Sequence, residues 1–324
     1  MAISRRQFLE SAALSTLAAH TALGAAVDGK TGMPTRILGK TGARVSILAF
    51  GCGSRFLSYP DDEKAAEALT KALDLGITYV DTAYGYGAGK SETRVGKVIP
   101  PRRKDLFLAT KIDARGYDDA MRIFEGSLKR LNTDHLDLTH IHSLTTAEDL
   151  AKAEEGVLKV LYKLRDQKMT RFIGVTSHTD PEVLKTALER HDFDCTQMAL
   201  NAARAGMASA PGGMKINDLL TTSFEQVALP VANKKKMGVI AMKVFAQEHL
   251  NGKAPVEKLI RYSMSLPVSA AVVGMPQLQF IDENIAVAKA FKPMPAGEMK
   301  ELSDRLAIAH KAQIDRFFSD HVDA

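Results

Sequence analysis

The 324-residue chain contains no tryptophan and only two cysteines, Cys52 and Cys195. Without Trp, any aromatic wall in a binding site must come from Tyr or Phe. Two thiols far apart in sequence make neither a disulfide framework nor a cysteine metal cluster, and the patterns CxxC and HExxH are both missing. The two are read as small core residues. No basic stripe interleaved with aromatics occurs. The formal charge of +5 therefore reads as a mildly basic surface, not as a nucleic-acid footprint. No GxGxxG follows any predicted strand, which argues against an open, doubly wound dinucleotide-binding sheet.

What is present is ordinary globular material, 45% hydrophobic and 25% charged. A chain of this length holds enough core for one α/β domain. Its first 26 residues read as an address label. Ser4-Arg5-Arg6-Gln7-Phe8-Leu9 matches the twin-arginine export consensus, an apolar run follows from Ser11 to Ala26, and Gly24-Ala25-Ala26 offers a cleavage site. The run is too short and too rich in Ala, Ser and Thr for stable membrane insertion, which takes about 20 strongly apolar residues. Cleavage after Ala26 removes two Arg and one Glu, taking the charge from +5 to +4. The expected organisation is a signal peptide over 1–26, a linker over 27–34 and one folded unit over 35–324. The expected location is the periplasm, or another exported compartment, with the twin-arginine machinery as a partner.

Two short apolar stretches around Gly39-Lys40-Thr41-Gly42, within Thr35 to Ser46, predict a β-hairpin. Eight apolar runs without polar alternation follow: Ile47–Cys52, Tyr79–Ala83, Leu106–Ile112, Leu136–His142, Phe172–Ser177, Cys195–Asn201, Gly238–Val244 and Ala270–Met275. Amphipathic helices separate them. One is expected after the N-cap Asp61 and ends at Gly76, one starts at Asp180-Pro181-Glu182, and one covers about Ala147 to Arg165. Strands buried on both faces and alternating with helices imply a parallel sheet, and eight such units close most simply into a (β/α)8 TIM barrel. The stretch from Ala202 to Thr222 looks long and irregular, and Gly297 to Phe318 looks like an additional C-terminal helix.

In such barrels the working residues stand at the carboxyl ends of strands. Polar side chains that a core would reject gather there. Asp81 ends the second strand and leads into Thr82-Ala83-Tyr84-Gly85-Tyr86-Gly87, Lys111 stands near the end of the third, and His142 ends the fourth. Tyr84 and Tyr86 compete as the phenol, and spacing from Asp81 favours Tyr86. His140 and His142 alternate on one strand face, which is half of a metal site. No further ligand is evident at the other strand ends, so no metal is assigned, and His140 is read as an internally hydrogen-bonded core residue.

The segment 81–87 resembles the aldo/keto reductase family, whose loop after the second strand reads Asp-Thr-Ala-x-x-Tyr-Gly, and the likeness runs from about Thr35 to Phe291. It implies a catalytic tetrad of Asp81, Tyr86, Lys111 and His142, acting on an aldehyde or ketone, or on the corresponding alcohol, with NADP or NAD. A phenol keeps its proton at neutral pH but gives it sluggishly. A nearby ammonium is expected to ease that transfer, a carboxylate to keep the buried ammonium charged, and the imidazole to orient the carbonyl.

On the cofactor side the resemblance implies Ser177, His178 and Gln197 at the carboxamide, Lys243 and Gly274 near the phosphates, Glu283 and Asn284 near the adenine, and Gln277 as a further cofactor contact. The chain departs from the family in places. His178 stands where Asn is common, Met242 where a Tyr often stacks on the nicotinamide, and Gly274 and Phe280 where NADPH-specific members carry a cation. The last departure leans toward NADH and the family's habit toward NADPH, so both remain open. Two alternatives stand beside the reductase: a nucleotide-binding sensor barrel with little turnover, and a metal-dependent barrel hydrolase.

Overall fold

The computed structural model describes residues 24–210, 213–217 and 220–319. The twin-arginine motif and most of the run behind it lie outside the described residues. Eight parallel strands close into a barrel in the spatial order β12-β13-β4-β5-β6-β7-β8-β9. They are β4 Leu48–Gly51, β5 Tyr79–Asp81, β6 Phe107–Ile112, β7 Leu136–Ile141, β8 Thr170–Ser177, β9 Cys195–Ala199, β12 Gly238–Met242 and β13 Ala270–Val273. Each falls on one of the eight apolar runs. The reason is burial: almost every residue of these strands is inaccessible, so neither face tolerates the polar alternation of a half-exposed strand.

The predicted hairpin is present, with β2 Pro34–Ile37 pairing antiparallel to β3 Arg44–Ser46 and the two-residue β1, Ala26–Val27, adding a third strand. It closes the amino-terminal mouth of the barrel. Leu38 and Val45 join one apolar cluster with the inward-facing Tyr79, Phe107, Leu138, Cys195, Ile240 and Ala270. Arg36 is buried in the same region and donates to the carbonyls of Met264 and Val268 at 3.0 and 2.7 Å, which ties the plug to the last strand–helix units. With that end sealed, the carboxyl end is the open one.

Helices cover the outside of the barrel. Helix α2, Asp62–Asp74, starts where Asp61 accepts from the Lys64 amide, carries Asp62 and Glu63 in its first turn, and is followed by Gly76 at φ +111°. Helix α7, Pro181–Arg190, is capped by Asp180, which accepts from the amides of Glu182 and Val183. A C-terminal helix, α11, spans Ala296–Ser319. The structure differs from expectation in two places. The single helix over 147–165 is two, α5 Ala147–Glu155 and α6 Val157–Asp166, broken at Gly156 (φ −127°, ψ −86°). A Cβ at Gly156 would run into the Arg115 carbonyl, so the chain bends where only hydrogen fits. The second is the stretch 202–222, which contains a small antiparallel hairpin, β10 Met207–Ala210 with β11 Gly213–Ile216. That hairpin grows from the barrel rim, where the Met207 amide donates to the His178 carbonyl at 2.5 Å.

Gly156→Ala is expected to destabilise the fold by about 1–3 kcal/mol, the usual cost of forcing an atom into filled space. Urea unfolding should show a lower midpoint with an unchanged slope.

Candidate active site

Three neighbouring strands bring the predicted tetrad together at the open end. Lys111 is 1% exposed, and its ammonium donates to Asp81 Oδ2 at 2.6 Å, to the Thr82 carbonyl at 2.8 Å and to the Tyr86 hydroxyl at 3.3 Å. The Tyr86 and His142 rings meet edge to face, centroids 5.5 Å apart. Of the two phenols in the loop, Tyr84 lies with its ring under the Arg130 guanidinium, 4.9 Å away, and the Lys111 ammonium reaches the hydroxyl of Tyr86.

The turn that carries Tyr86 is pinned from both sides. Its amides at Thr82 and Tyr84 donate to the carbonyls of Ala109 and Lys111 on β6. Ser91, on helix α3 (Lys90–Gly96), bonds to Thr82 Oγ1 at 2.8 Å and to the Cys52 carbonyl at 2.6 Å. Glu92 beside it is fully buried between Thr110 Oγ1 (2.6 Å) and Arg130 Nε (2.8 Å). Gly87 and Gly89 take φ of +69° and +91°, conformations an L side chain resists. His142 is fixed through its backbone. Arg115, paired with Asp149 at 2.7 Å, donates to the carbonyls of His142 and Ser143 at 2.9 and 3.2 Å. Glu92, Arg115, Arg130 and Asp149 act in support of the site, and no local pattern marks them, because their partners are 18 to 38 residues away.

The electrostatics of the site set burial against charge. Burial pushes the Tyr86 phenol up, and the Lys111 ammonium offsets that only in part, so its pKa ends above the ordinary value of 10 and not below it. Burial also works against the charge on Lys111, but Asp81 and the Tyr86 oxygen outweigh it and hold the ammonium pKa above its ordinary value. Burial, reinforced by Lys111, keeps His142 neutral, its pKa well below the usual imidazole range. The arrangement at neutral pH is thus a carboxylate–ammonium pair, a protonated phenol and a neutral imidazole at one spot. Such a set can bind and polarise a carbonyl oxygen and hand it a proton.

The sequence profile of the aldo/keto reductase family matches residues 48–255, well over half of the chain. The chain belongs to that family. An uncharacterized oxidoreductase of Bacillus subtilis, YqkF, is 27% identical over 301 residues, covering 80% of this chain and 92% of that protein. Among solved structures, aldo-keto reductase AKR11C1 of Bacillus halodurans, in its holo form, superposes with a TM-score of 0.68 at 22% identity, over 84% of this chain and 96% of that one. An aldo-keto reductase of Klebsiella pneumoniae solved in complex with NADPH gives a TM-score of 0.67 at 21% identity, over 84% and 95%. These two likenesses are likenesses of fold.

The residues that family resemblance assigns to a cofactor lie at the end of or just after β8, on β9, just after β12 and β13, and on the helix that follows β13. Gln197 is 1% exposed and its Oε1 has no hydrogen-bond partner among the described residues. Ser177 donates to the Leu144 carbonyl at 2.7 Å. His178 lies against Ser143 Oγ at 3.2 Å, and burial, with Lys243 nearby, lowers its pKa to about 4. Lys243 donates to Gln247 at 2.8 Å, and burial, with Lys111 and Arg55 close, lowers its pKa to about 8. Gln277 precedes helix α10 (Leu278–Lys289), on which Glu283 pairs with Gln279 at 2.6 Å and Asn284 is buried.

Sequence reasoning missed a bridge over this rim. Arg55, from the segment after the first barrel strand, pairs at 2.7 Å with Glu248, from the loop after the seventh. Lys243, Ala246, Gln247 and Glu248 all have left-handed backbone, φ +43° to +75°. Each such residue costs about 1–2 kcal/mol, so the loop persists only because contacts such as these two side-chain bonds hold it. The Arg55 side chain also packs over Gly274, where a Cβ would lie 2.9 Å from Arg55 Cβ. The aliphatic stem of Arg55 therefore covers one of the two positions that looked bare of charge, while its guanidinium pairs with Glu248.

His140 differs from expectation. It is fully buried, yet neither ring nitrogen has a hydrogen-bond partner among the described residues. Nor do three His, Cys, Asp or Glu side chains stand close enough to hold a metal among those residues, so the pair His140 and His142 lacks a third ligand.

Replacing Lys111 by Met leaves Asp81 buried and unpaired, and should destabilise the protein by about 3–5 kcal/mol, as for other broken buried ion pairs. The double variant Lys111→Met/Asp81→Asn should recover most of that loss in chemical denaturation.

Proposed function

We propose that the protein reduces an aldehyde or ketone to the alcohol, or runs the reverse oxidation, with Tyr86 as proton donor and NADPH or NADH as the bound reductant. The observation that carries this reading is one ammonium, Lys111, in hydrogen-bond contact with a buried carboxylate and a phenol together. The rim residues fit a nicotinamide dinucleotide. The unpartnered Gln197 oxygen suits a carboxamide N–H, and Lys243 with Arg55 offers positive charge for phosphates. The NADPH seen in the Klebsiella relative supports the same assignment. When bound, the nicotinamide supplies the hydride that reaches the carbonyl carbon.

The chain's own residues do the rest. Negative charge grows on the substrate oxygen as its carbon is reduced. Tyr86 donates its proton to that oxygen and becomes a phenolate. Lys111, kept charged by Asp81, stabilises the phenolate across 3.3 Å. Neutral His142, edge-on to Tyr86, supplies an N–H for the same oxygen and fixes which way the carbonyl lies. The raised Tyr86 pKa keeps the acid form loaded throughout the neutral range.

Tyr86→Phe is expected to lower turnover by roughly 10²–10⁴-fold, the usual share of general acid catalysis, with nucleotide affinity nearly unchanged in a fluorescence titration. Full turnover in that variant would remove Tyr86 from the role.

Export by the twin-arginine route is part of the same proposal, supported by Ser4-Arg5-Arg6-Gln7-Phe8-Leu9. A folded passenger would carry its nucleotide into a compartment that holds little of it. Replacing Arg5 and Arg6 by Lys should leave the protein in the cytoplasm on cell fractionation; undiminished export would argue against the leader.

A further inference from the structure

The barrel interior is stacked in layers of four, each drawn from alternate strands. Tyr79, Leu138, Cys195 and Ala270, from β5, β7, β9 and β13, belong to the inner apolar cluster. Two residues further along the same strands, facing the same way, stand Asp81, His140, Gln197 and Val272. A barrel normally fills such positions with branched aliphatic side chains. Three of these four are polar, and all three are at most 1% exposed.

The layer is short of hydrogen bonds. Asp81 Oδ1, both His140 ring nitrogens and Gln197 Oε1 have no partner among the described residues, and neither does the Tyr79 hydroxyl from the layer beneath. Gln197 is assigned to the nicotinamide above. The other four atoms take part in no step of the reaction. A buried polar atom left unmet loses its hydration for nothing in return, so four together would weigh heavily on a marginally stable fold. The neighbouring inward positions are small, namely Ala49, Ala109 and Gly174. Gly174 is the telling one: a Cβ there would lie 2.5 Å from His140 Nδ1, so the glycine makes room for this imidazole.

We propose that Asp81 Oδ1, His140 and the Tyr79 hydroxyl hold ordered water as the floor of the active site, and that His140 is a positioning residue acting through that water on Asp81. Asp81 and His140 share one interior layer and Tyr79 stands in the layer beneath, so two adjacent layers supply unpartnered polar atoms of the kind a buried water needs. A neutral imidazole both donates and accepts, so it can anchor water on either ring nitrogen. Burial, with Lys111 nearby, keeps His140 neutral, and Tyr79 feels the charge of Asp81. Lys111 already holds Asp81 Oδ2 at 2.6 Å. A water on Oδ1 fixes the carboxylate's remaining rotation, and so the height at which Lys111 meets Tyr86.

Only the kinetic arm of the test rests on Tyr86 being the proton donor. A high-resolution crystal structure of the protein should show a solvent peak within hydrogen-bond distance of Asp81 Oδ1 and of one His140 ring nitrogen. A dry layer, with these side chains bonded directly to each other, overturns the proposal. In kinetics, His140→Leu should lower kcat roughly 10–100-fold, the scale of a misplaced catalytic group, with KM for nucleotide unchanged. His140→Gln, which restores a donor and an acceptor, should recover most of it. An unchanged kcat in His140→Leu, or an equal loss in a folded His140→Gln, rejects the positioning role. Retained turnover in Tyr86→Phe would reject the donor assignment while leaving the crystallographic arm intact.

Discussion

The site depends on one buried ion pair. A lysine in a sealed barrel would shed its proton, because desolvation disfavours the charged form. Asp81, 2.6 Å away and equally buried, reverses that. Neither residue is tolerable there alone, and a well-packed apolar pair would serve stability as well or better. The pair is explained by what it faces, which is the Tyr86 hydroxyl at 3.3 Å. Its charge offsets part of the burial that raises the Tyr86 pKa, and leaves a phenol that stays protonated but whose anion has a partner waiting.

The fold makes this geometry by register. Tyr79 to Asp81 pairs with Phe107 to Ala109, and Lys111 pairs with His140 on the next strand. Adjacent parallel strands therefore deliver Asp81, Lys111 and His142 to one end at staggered heights. The hairpin seals the other end, so access is left at the carboxyl ends. The Tyr86 turn, which keeps only the Thr82 and Tyr84 amide bonds to β6, is held in addition by Ser91, Glu92 and two left-handed glycines. Arg115 does the same for the chain after His142. The ion pairs around the site thus work as struts for loops that carry the chemistry, a role strands cannot fill beyond their ends.

Much of this was legible in the residues. Strands buried on both faces leave unbroken apolar runs, and a charged or phenolic side chain at the end of such a run is conspicuous. Asp81, Lys111 and His142 are of that kind, and the 81–87 loop supplied Tyr86. Features that depend on distant partners were not legible. The break at Gly156 comes from the Arg115 carbonyl, the β10–β11 hairpin sits in a stretch of mixed composition, and the Arg55–Glu248 bridge joins residues 193 positions apart. Periodicity gave His140 a place in the interior but had no means of showing its nitrogens unpaired. The easing pull of the ammonium on Tyr86 was visible in the sequence, and the depth of burial that outweighs it was not.

The most direct test of the central claim is the ionisation of Tyr86 itself, followed by NMR of protein labelled at the tyrosine ζ carbon. Wild-type Tyr86 should titrate above the ordinary phenol value, and in the Lys111→Met/Asp81→Asn background it should titrate higher still, because the ammonium that offsets burial is gone. An identical titration in the two proteins would contradict the account, since the pull of Lys111 on the phenol would then not exceed the opposing push of Asp81.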